Sequence, residues 1–143
     1  MIKPSFIVLI LFSLFSIEAI GQSLNLRMVG KDSLENRVID SISYKKKHAN
    51  FKLLTEEVTH FKNLLYSIGY LESEFDALKK QTDSSFQIKI NLKNKYKSLH
   101  IKYDANLVSK DVLELVSNQI SDTYFTIPIE HAEKALQTIA NHP

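Results

Sequence analysis

Residues Phe51–Leu71, FKLLTEEVTHFKNLLYSIGYL, constrain this chain more than any other stretch. Phe51, Leu54, Val58, Phe61, Leu65 and Ile68 recur at alternating steps of three and four, which aligns them on one face of an α-helix of about five turns. Leu64 widens that stripe, and Lys52, Glu56, Glu57, Lys62 and Asn63 occupy the other side. Asn50 is suited to cap the start of the helix. Gly69 follows the last apolar position, where a residue without Cβ can adopt the left-handed conformation that stops a helix. Burying each large apolar side chain is worth roughly 1.5–3 kcal/mol, so the helix requires a surface to pack on.

The flanking segments supply that surface. Leu24–Gly30 alternates, with Leu24, Leu26 and Met28 on one side and Asn25 and Arg27 on the other, which predicts a strand. Ser33 is the expected N-cap of a helix over Leu34–Ser43 with Leu34, Val38, Ile39 and Ile42 inward. Tyr44–Asn50 is expected to be a polar connection. After Gly69, Leu71, Ser73, Phe75 and Ala77 alternate with Glu72, Glu74 and Asp76, predicting a strand with one wet face. Lys79–Ser85 is expected to be a turn, and Phe86–Leu92 a second strand with Phe86, Ile88, Ile90 and Leu92 inward. The order is β-α-α-β-β. Its simplest closed form is an α+β two-layer module, two helices on one face of a three-stranded sheet, with an antiparallel hairpin at its end.

The remainder repeats this pattern at an offset of about 75 residues. Leu24 matches Leu99, Leu26 matches Ile101, Leu54 matches Ile129, Phe61 matches Leu136 and Leu64 matches Ile139. Leu99–Tyr103 predicts a strand. Ser109 is placed to cap a helix over Lys110–Ile120 carrying Val112, Leu113, Val116 and Ile120. Pro128 opens a further helix to about Asn141, with Ile129, Ala132, Leu136, Ile139 and Ala140 inward. The second unit is thus expected to be a truncated β-α-α.

The N-terminus differs in composition. Lys3 precedes Phe6–Ile17, an apolar run of twelve, and Ala19 and Gly21 are small residues where a signal peptidase reads. This predicts a signal peptide over 1–21, cleaved between Gly21 and Gln22. Alternatives are a buried element of the fold or a membrane anchor, though twelve residues fall short of the ~20 needed to span a bilayer. The organisation expected is 1–21 signal peptide, 22–93 first module and 94–143 partial second module. The chain has no cysteine, which excludes a disulfide framework, a thiolate zinc site, a cysteine nucleophile and an N-terminal lipid-modified cysteine. Export without cysteine suits a bacterial periplasm. A net charge of +2 is too mild to imply nucleic acid.

The helix end NLLYSIGYLESEF at Asn63–Phe75 and the run FQIKINLKNKYKSLHI at Phe86–Ile101, in a repeated module behind an export signal, resemble the polypeptide-transport-associated (POTRA) domain. The layout is most similar to the N-terminal repeats of outer-membrane barrel assembly proteins of the surface-antigen family. Members of that family continue through further modules into a membrane β-barrel. Here no series of ~10-residue alternating membrane strands follows. The resemblance therefore implies a periplasmic polypeptide-binding or scaffold module of outer-membrane protein assembly, a fragment or split product of a larger barrel protein. Its implied partners are unfolded or partly folded outer-membrane polypeptides, or other assembly proteins. Membrane association would come only through a missing barrel or a partner. Binding would proceed by β-augmentation, in which a client adds to a sheet edge through main-chain hydrogen bonds. The expected edge strand comprises Leu71, Ser73, Phe75, Ala77 and Leu78, with Glu72, Glu74 and Asp76 deterring nonspecific pairing. The competing reading is a small secreted structural or protein-interaction domain that handles no client.

Signs of enzymatic chemistry are absent from the sequence. His48, His60, His100, His131 and His142 form no zinc-ligand pair. His131-Ala-Glu133 resembles half of a zinc deaminase motif whose cysteine half is missing. Three glycines make no phosphate loop, and Glu56–Glu57 and Glu72/Glu74 lie on polar faces. No enzyme activity and no cofactor are expected. Lys45-Lys46-Lys47-His48 is a candidate for anionic lipid or nucleic acid, or else a solvated loop between helices. Lys93, Lys95, Tyr96 and Lys97 are expected to form the linker between modules.

Overall fold

The computed structural model describes residues 23–142. The expected signal peptide and its cleavage point lie outside the described residues. Among the described residues the fold is α+β, with four α-helices and two sheets.

The first unit contains β1 (Leu24–Gly30), α1 (Ser33–Ser41), β2 (Lys47–His48), α2 (Phe51–Ser67), β3 (Glu74–Phe75), β4 (Lys79–Thr82) and β5 (Ser85–Asn91). β1 and β5 pair in parallel from Asn25–Ser85 to Gly30–Ile90. β3 and β4 both pair antiparallel with β5, as the expected hairpin requires, and β2 adds antiparallel to the other side of β1. The core joins Leu26 and Met28 of β1, Ile88 and Ile90 of β5 and the adjoining Leu92 to Ile39 of α1 and Leu54, Phe61 and Leu65 of α2. α2 matches its expected span. Asn50 accepts from the Leu53 amide at its start. Gly69, at φ +106°, ends it with paired bonds from the Tyr70 amide to the Leu65 carbonyl and from the Gly69 amide to the Tyr66 carbonyl.

Several details differ from expectation. Asp32, not Ser33, caps α1, accepting from the Leu34 and Glu35 amides at 2.9 Å each. Leu34, expected inward, is 65% exposed, and Glu35 is buried instead. Glu35 accepts from the Lys31 amide at 2.8 Å and the Leu92 amide at 3.2 Å, tying α1 to the end of β5. The connection at Tyr44–Asn50 contains β2, and His48 is buried there with Nε2 donating to the Lys45 carbonyl at 2.8 Å. The expected strand over 71–78 is paired only at Glu74–Phe75. The expected turn after it contains β4.

The second unit contains β6 (Ser98–Lys102), α3 (Lys110–Glu114), β7 (Gln119–Ile120), β8 (Tyr124–Pro128), a 3-10 turn (Ile129–His131) and α4 (Ala132–Ala140). β8 pairs antiparallel with β6 and β7, in the order β6-β8-β7. Its core is smaller: Leu113, Phe125, Ile127 and Ala135 are buried. The expected helix over 110–120 stops at Glu114. Ser117 Oγ accepts from the Gln119 amide and donates to the Thr126 carbonyl at 2.6 Å, bonds that compete with helix continuation. Tyr124–Pro128 is a strand with Phe125 and Ile127 inward, so Pro128, expected to open a helix, ends a strand instead. The 3-10 turn that follows advances three residues at 3.0 per turn rather than 3.6, rotating the face of α4 by about 60°. Ala135 is therefore buried, while Leu136, expected inside, is 52% exposed and Ala140 is exposed.

Apart from the short β7 and the 3-10 turn of the second unit, the two units share the order strand, helix, antiparallel strand on the first strand, helix. Leu24 pairs with His48 in one and Leu99 with Ile127 in the other. Leu24 and Leu99 are the positions matched by the sequence repeat.

Candidate functional site

The side chains expected to carry binding occupy different environments. Leu71 is exposed in the turn that follows Gly69. Ser73 is buried at 7% exposure; its amide bonds to the Tyr70 carbonyl and its hydroxyl has no partner. Phe75 is half-buried, paired with Ile90 and covered on one ring face by Lys62 Nζ at 5.8 Å. Ala77 and Leu78 lie in a break between β3 and β4. Phe75 pairs with Ile90 and Lys79 with Gln87, so four steps on the edge oppose three on β5. That extra residue, together with a second register shift between Lys80 and Thr82, bulges the edge, which twists it and interrupts its ladder. β4 itself shows four exposed side chains, Lys79, Lys80, Gln81 and Thr82, with Lys80 paired to Asp83 at 2.8 Å.

The acidic residues near this edge hold the linker. Glu74 meets Lys93 at 3.0 Å, and Lys95 Nζ lies 5.7 Å from the Tyr70 ring. The Tyr96 phenol is pushed above its ordinary pKa by its hydrogen bond to Glu72, then by burial and by the charge of Glu72. The Tyr96 amide donates to the Gly69 carbonyl at 2.9 Å, and the Ile129 amide donates to the Lys97 carbonyl at 3.1 Å. The linker is thus clasped between the helix stop of the first unit and the start of the last helical segment. A cleft of about 410 Å³ lies there, lined by Ser67, Ile68, Tyr96, Ile129 and Glu130 among others.

Besides the two-residue edge strands β2 and β7, three longer stretches of sheet edge differ in how far they are closed. The outer edge of β1 is closed. Its amides reach in-chain acceptors in turn: Leu26 to the Lys46 carbonyl, Met28 to Tyr44 Oη at 3.2 Å and Gly30 to Asn36 Oδ1 at 2.9 Å. A groove of about 690 Å³ along it, lined by Arg27, Asn36, Asp40, Tyr44 and Lys46 among others, therefore offers side chains rather than a free ladder. The edge of β3 and β4 is open but bulged and lysine-rich. The outer edge of β6 is open and regular. The alternation of Leu99–Tyr103 marks β6 as a strand but carries no signal for which of its sides is paired.

Among the described residues no group of three or more His, Asp or Glu converges to hold a metal, and no helix is long and apolar enough to cross a membrane. Comparison with protein-family models, with curated proteins and with solved structures finds no match.

Proposed function

We propose that the chain is an exported, POTRA-like module that binds extended polypeptide and scaffolds the assembly of outer-membrane proteins. The observation that carries this reading is that, beside the two-residue edge strands β2 and β7, the longer edges at β3–β4 and at β6 have no in-chain strand on their outer sides among the described residues. An extended client adds to such an edge through main-chain hydrogen bonds, which accept many sequences. The repeated strand-helix-strand-helix order supports the modular part of the reading, and the apolar run Phe6–Ile17 supports export. The partners are unfolded or partly folded outer-membrane polypeptides.

Photo-cross-linking tests this. A photoreactive residue at Leu78, Lys80 or His100 is expected to capture a purified outer-membrane barrel polypeptide diluted from urea, and to capture much less of the same polypeptide once folded in detergent. Absence of adducts at all three positions would favour the competing reading, a secreted structural or interaction domain. The lysines and bulge of the β3–β4 edge are what favour that alternative, because both features deter strand addition.

A further inference from the structure

In an antiparallel pair, residues alternate between those that exchange hydrogen bonds with the neighbour and those whose main-chain groups point away. The Ile129 amide bonds to the Lys97 carbonyl and the Tyr103 amide to the Thr123 carbonyl. These bonds fix the phase: Lys97, Leu99, Ile101 and Tyr103 face β8, and Ser98, His100 and Lys102 turn their N–H and C=O groups to the outer edge. No described residue bonds to those groups.

The first unit shows what occupies the same edge there. In β1 the Leu26 amide bonds toward β2, so Asn25, Arg27 and Val29 face the other way, and β5 lies on that side in parallel. The sequence repeat places His100 at the position of Asn25 and Lys102 at that of Arg27. Burial carries the same message independently. Leu26 and Met28, with β5 beside them, are each 3% exposed, whereas their counterparts Ile101 and Tyr103 are only half-buried.

We propose that the outer edge of β6 takes an extended polypeptide segment from a partner, running parallel to β6, with alternate apolar side chains on the face that carries Leu99 and Ile101. The inference rests on the polypeptide-binding reading and assigns it a site and an orientation. The chemistry of the segment follows from β5, where Phe86, Ile88, Ile90 and Leu92 alternate with Gln87, Lys89 and Asn91. Three outward N–H and three outward C=O groups supply affinity, and the half-covered apolar face selects the alternation.

The test exploits the absence of cysteine. Ser98→Cys and Lys102→Cys place single thiols at the two ends of β6 on exposed side chains. The probe is a synthetic peptide with the sequence of residues 84–93 carrying one added cysteine at either end. With the peptide cysteine supplied as a mixed disulfide with thionitrobenzoate, which leaves as the free thiolate, parallel addition predicts that Ser98→Cys is joined to the N-terminal-cysteine peptide roughly tenfold faster than to the C-terminal one, through higher effective concentration, and that Lys102→Cys shows the reverse preference. In the unsubstituted protein the peptide without cysteine is expected to slow exchange of the Ser98, His100 and Lys102 amides. A peptide with serine at both isoleucines is expected to lose that protection. The opposite orientation preference, no preference, or protection at Lys79–Thr82 alone would each overturn the inference, the last while leaving the polypeptide-binding reading intact. Protection of the same three amides by dimerisation without peptide would assign the edge to a second copy and overturn it equally.

Discussion

Replacing Gly69 with alanine probes the joint between the units. A Cβ built on Gly69 would lie 2.2 Å from the Tyr96 carbonyl oxygen, and 3.3 Å from both the Tyr96 carbonyl carbon and Lys95 Cγ. The nearest obstacle is backbone, so no side-chain rotation relieves it, and helix stop and linker must separate by about 1 Å to restore van der Waals distance. Separation on that scale breaks the 2.9 Å bond from the Tyr96 amide to the Gly69 carbonyl, worth about 1 kcal/mol. The residue also sits at φ +106°, where a non-glycine residue costs about 1–3 kcal/mol. The expected loss is therefore about 2–4 kcal/mol, read by urea denaturation of Gly69→Ala against the parent protein.

Two readouts separate the contributions. Trypsin cleavage after Lys93, Lys95 and Lys97 reports release of the linker. It should accelerate at least about tenfold if the lost docking exceeds 1.4 kcal/mol. Tyr96→Phe keeps the backbone contact and loses only the phenol, so it should leave most of the linker protection in place. If Gly69→Ala shifts stability by less than about 0.5 kcal/mol and leaves cleavage unchanged, the clasp argued from the Tyr96 contact is wrong.

Glu35→Ala removes the acceptor for the Lys31 and Leu92 amides; a loss of about 1–3 kcal/mol by urea denaturation is expected, and a neutral result would mean that water replaces the carboxylate. Tyr44→Phe keeps the edge-on packing against Phe61 at 5.5 Å but strands the Met28 amide, costing about 1 kcal/mol and exposing that amide to exchange. Glu72→Ala should bring the Tyr96 titration, followed by NMR, down toward the ordinary tyrosine value of 10.0. In the parent protein the neutral phenol is favoured by folding, so its contribution is fully present below that value and is lost as pH rises through the higher folded value. Hydrogen exchange should find the β6–β8 ladder less protected than the β1–β5 ladder, because four buried residues anchor the second core against nine in the first; equal protection would contradict this.

The parts of the fold visible in the sequence are those where one long periodic segment decides. α2 carries its stripe through Leu54, Phe61 and Leu65, and its cap at Asn50 and stop at Gly69 stand where residue chemistry puts them. β1 and β5 are similarly plain. Shorter elements escaped because tertiary pairing, not local pattern, makes them. β2 is two residues long and exists because β1 offers it partners. β8 was hidden by Pro128, which suits a helix start as well as a strand end, and Val116 and Ile120 fell on a helical spacing that Ser117 breaks. Along the expected edge, Ser73 is drawn inward by the turn from Tyr70, and the ladder slips by one residue at Ala77–Leu78. The inward face changes phase there: Ala77, expected inward, is exposed and Leu78 packs on the core instead, because one extra residue flips the side chains that follow.

The three edges also bear on one another. An open strand edge invites aggregation, and chains normally blunt it with lysine, proline, bulges or a covering group. On β1 the covering is specific: Tyr44 and Asn36 come from different segments to meet consecutive outward amides. On β3–β4 the bulge and the lysines serve. β6 carries no bulge and no proline, pairs with β8 without a break over five residues, and leaves its apolar face only half covered. Among the described residues two of the longer edges are protected by separate devices and the most regular one is bare, so a test of the proposed polypeptide binding belongs at Ser98–Lys102 before Leu71–Leu78.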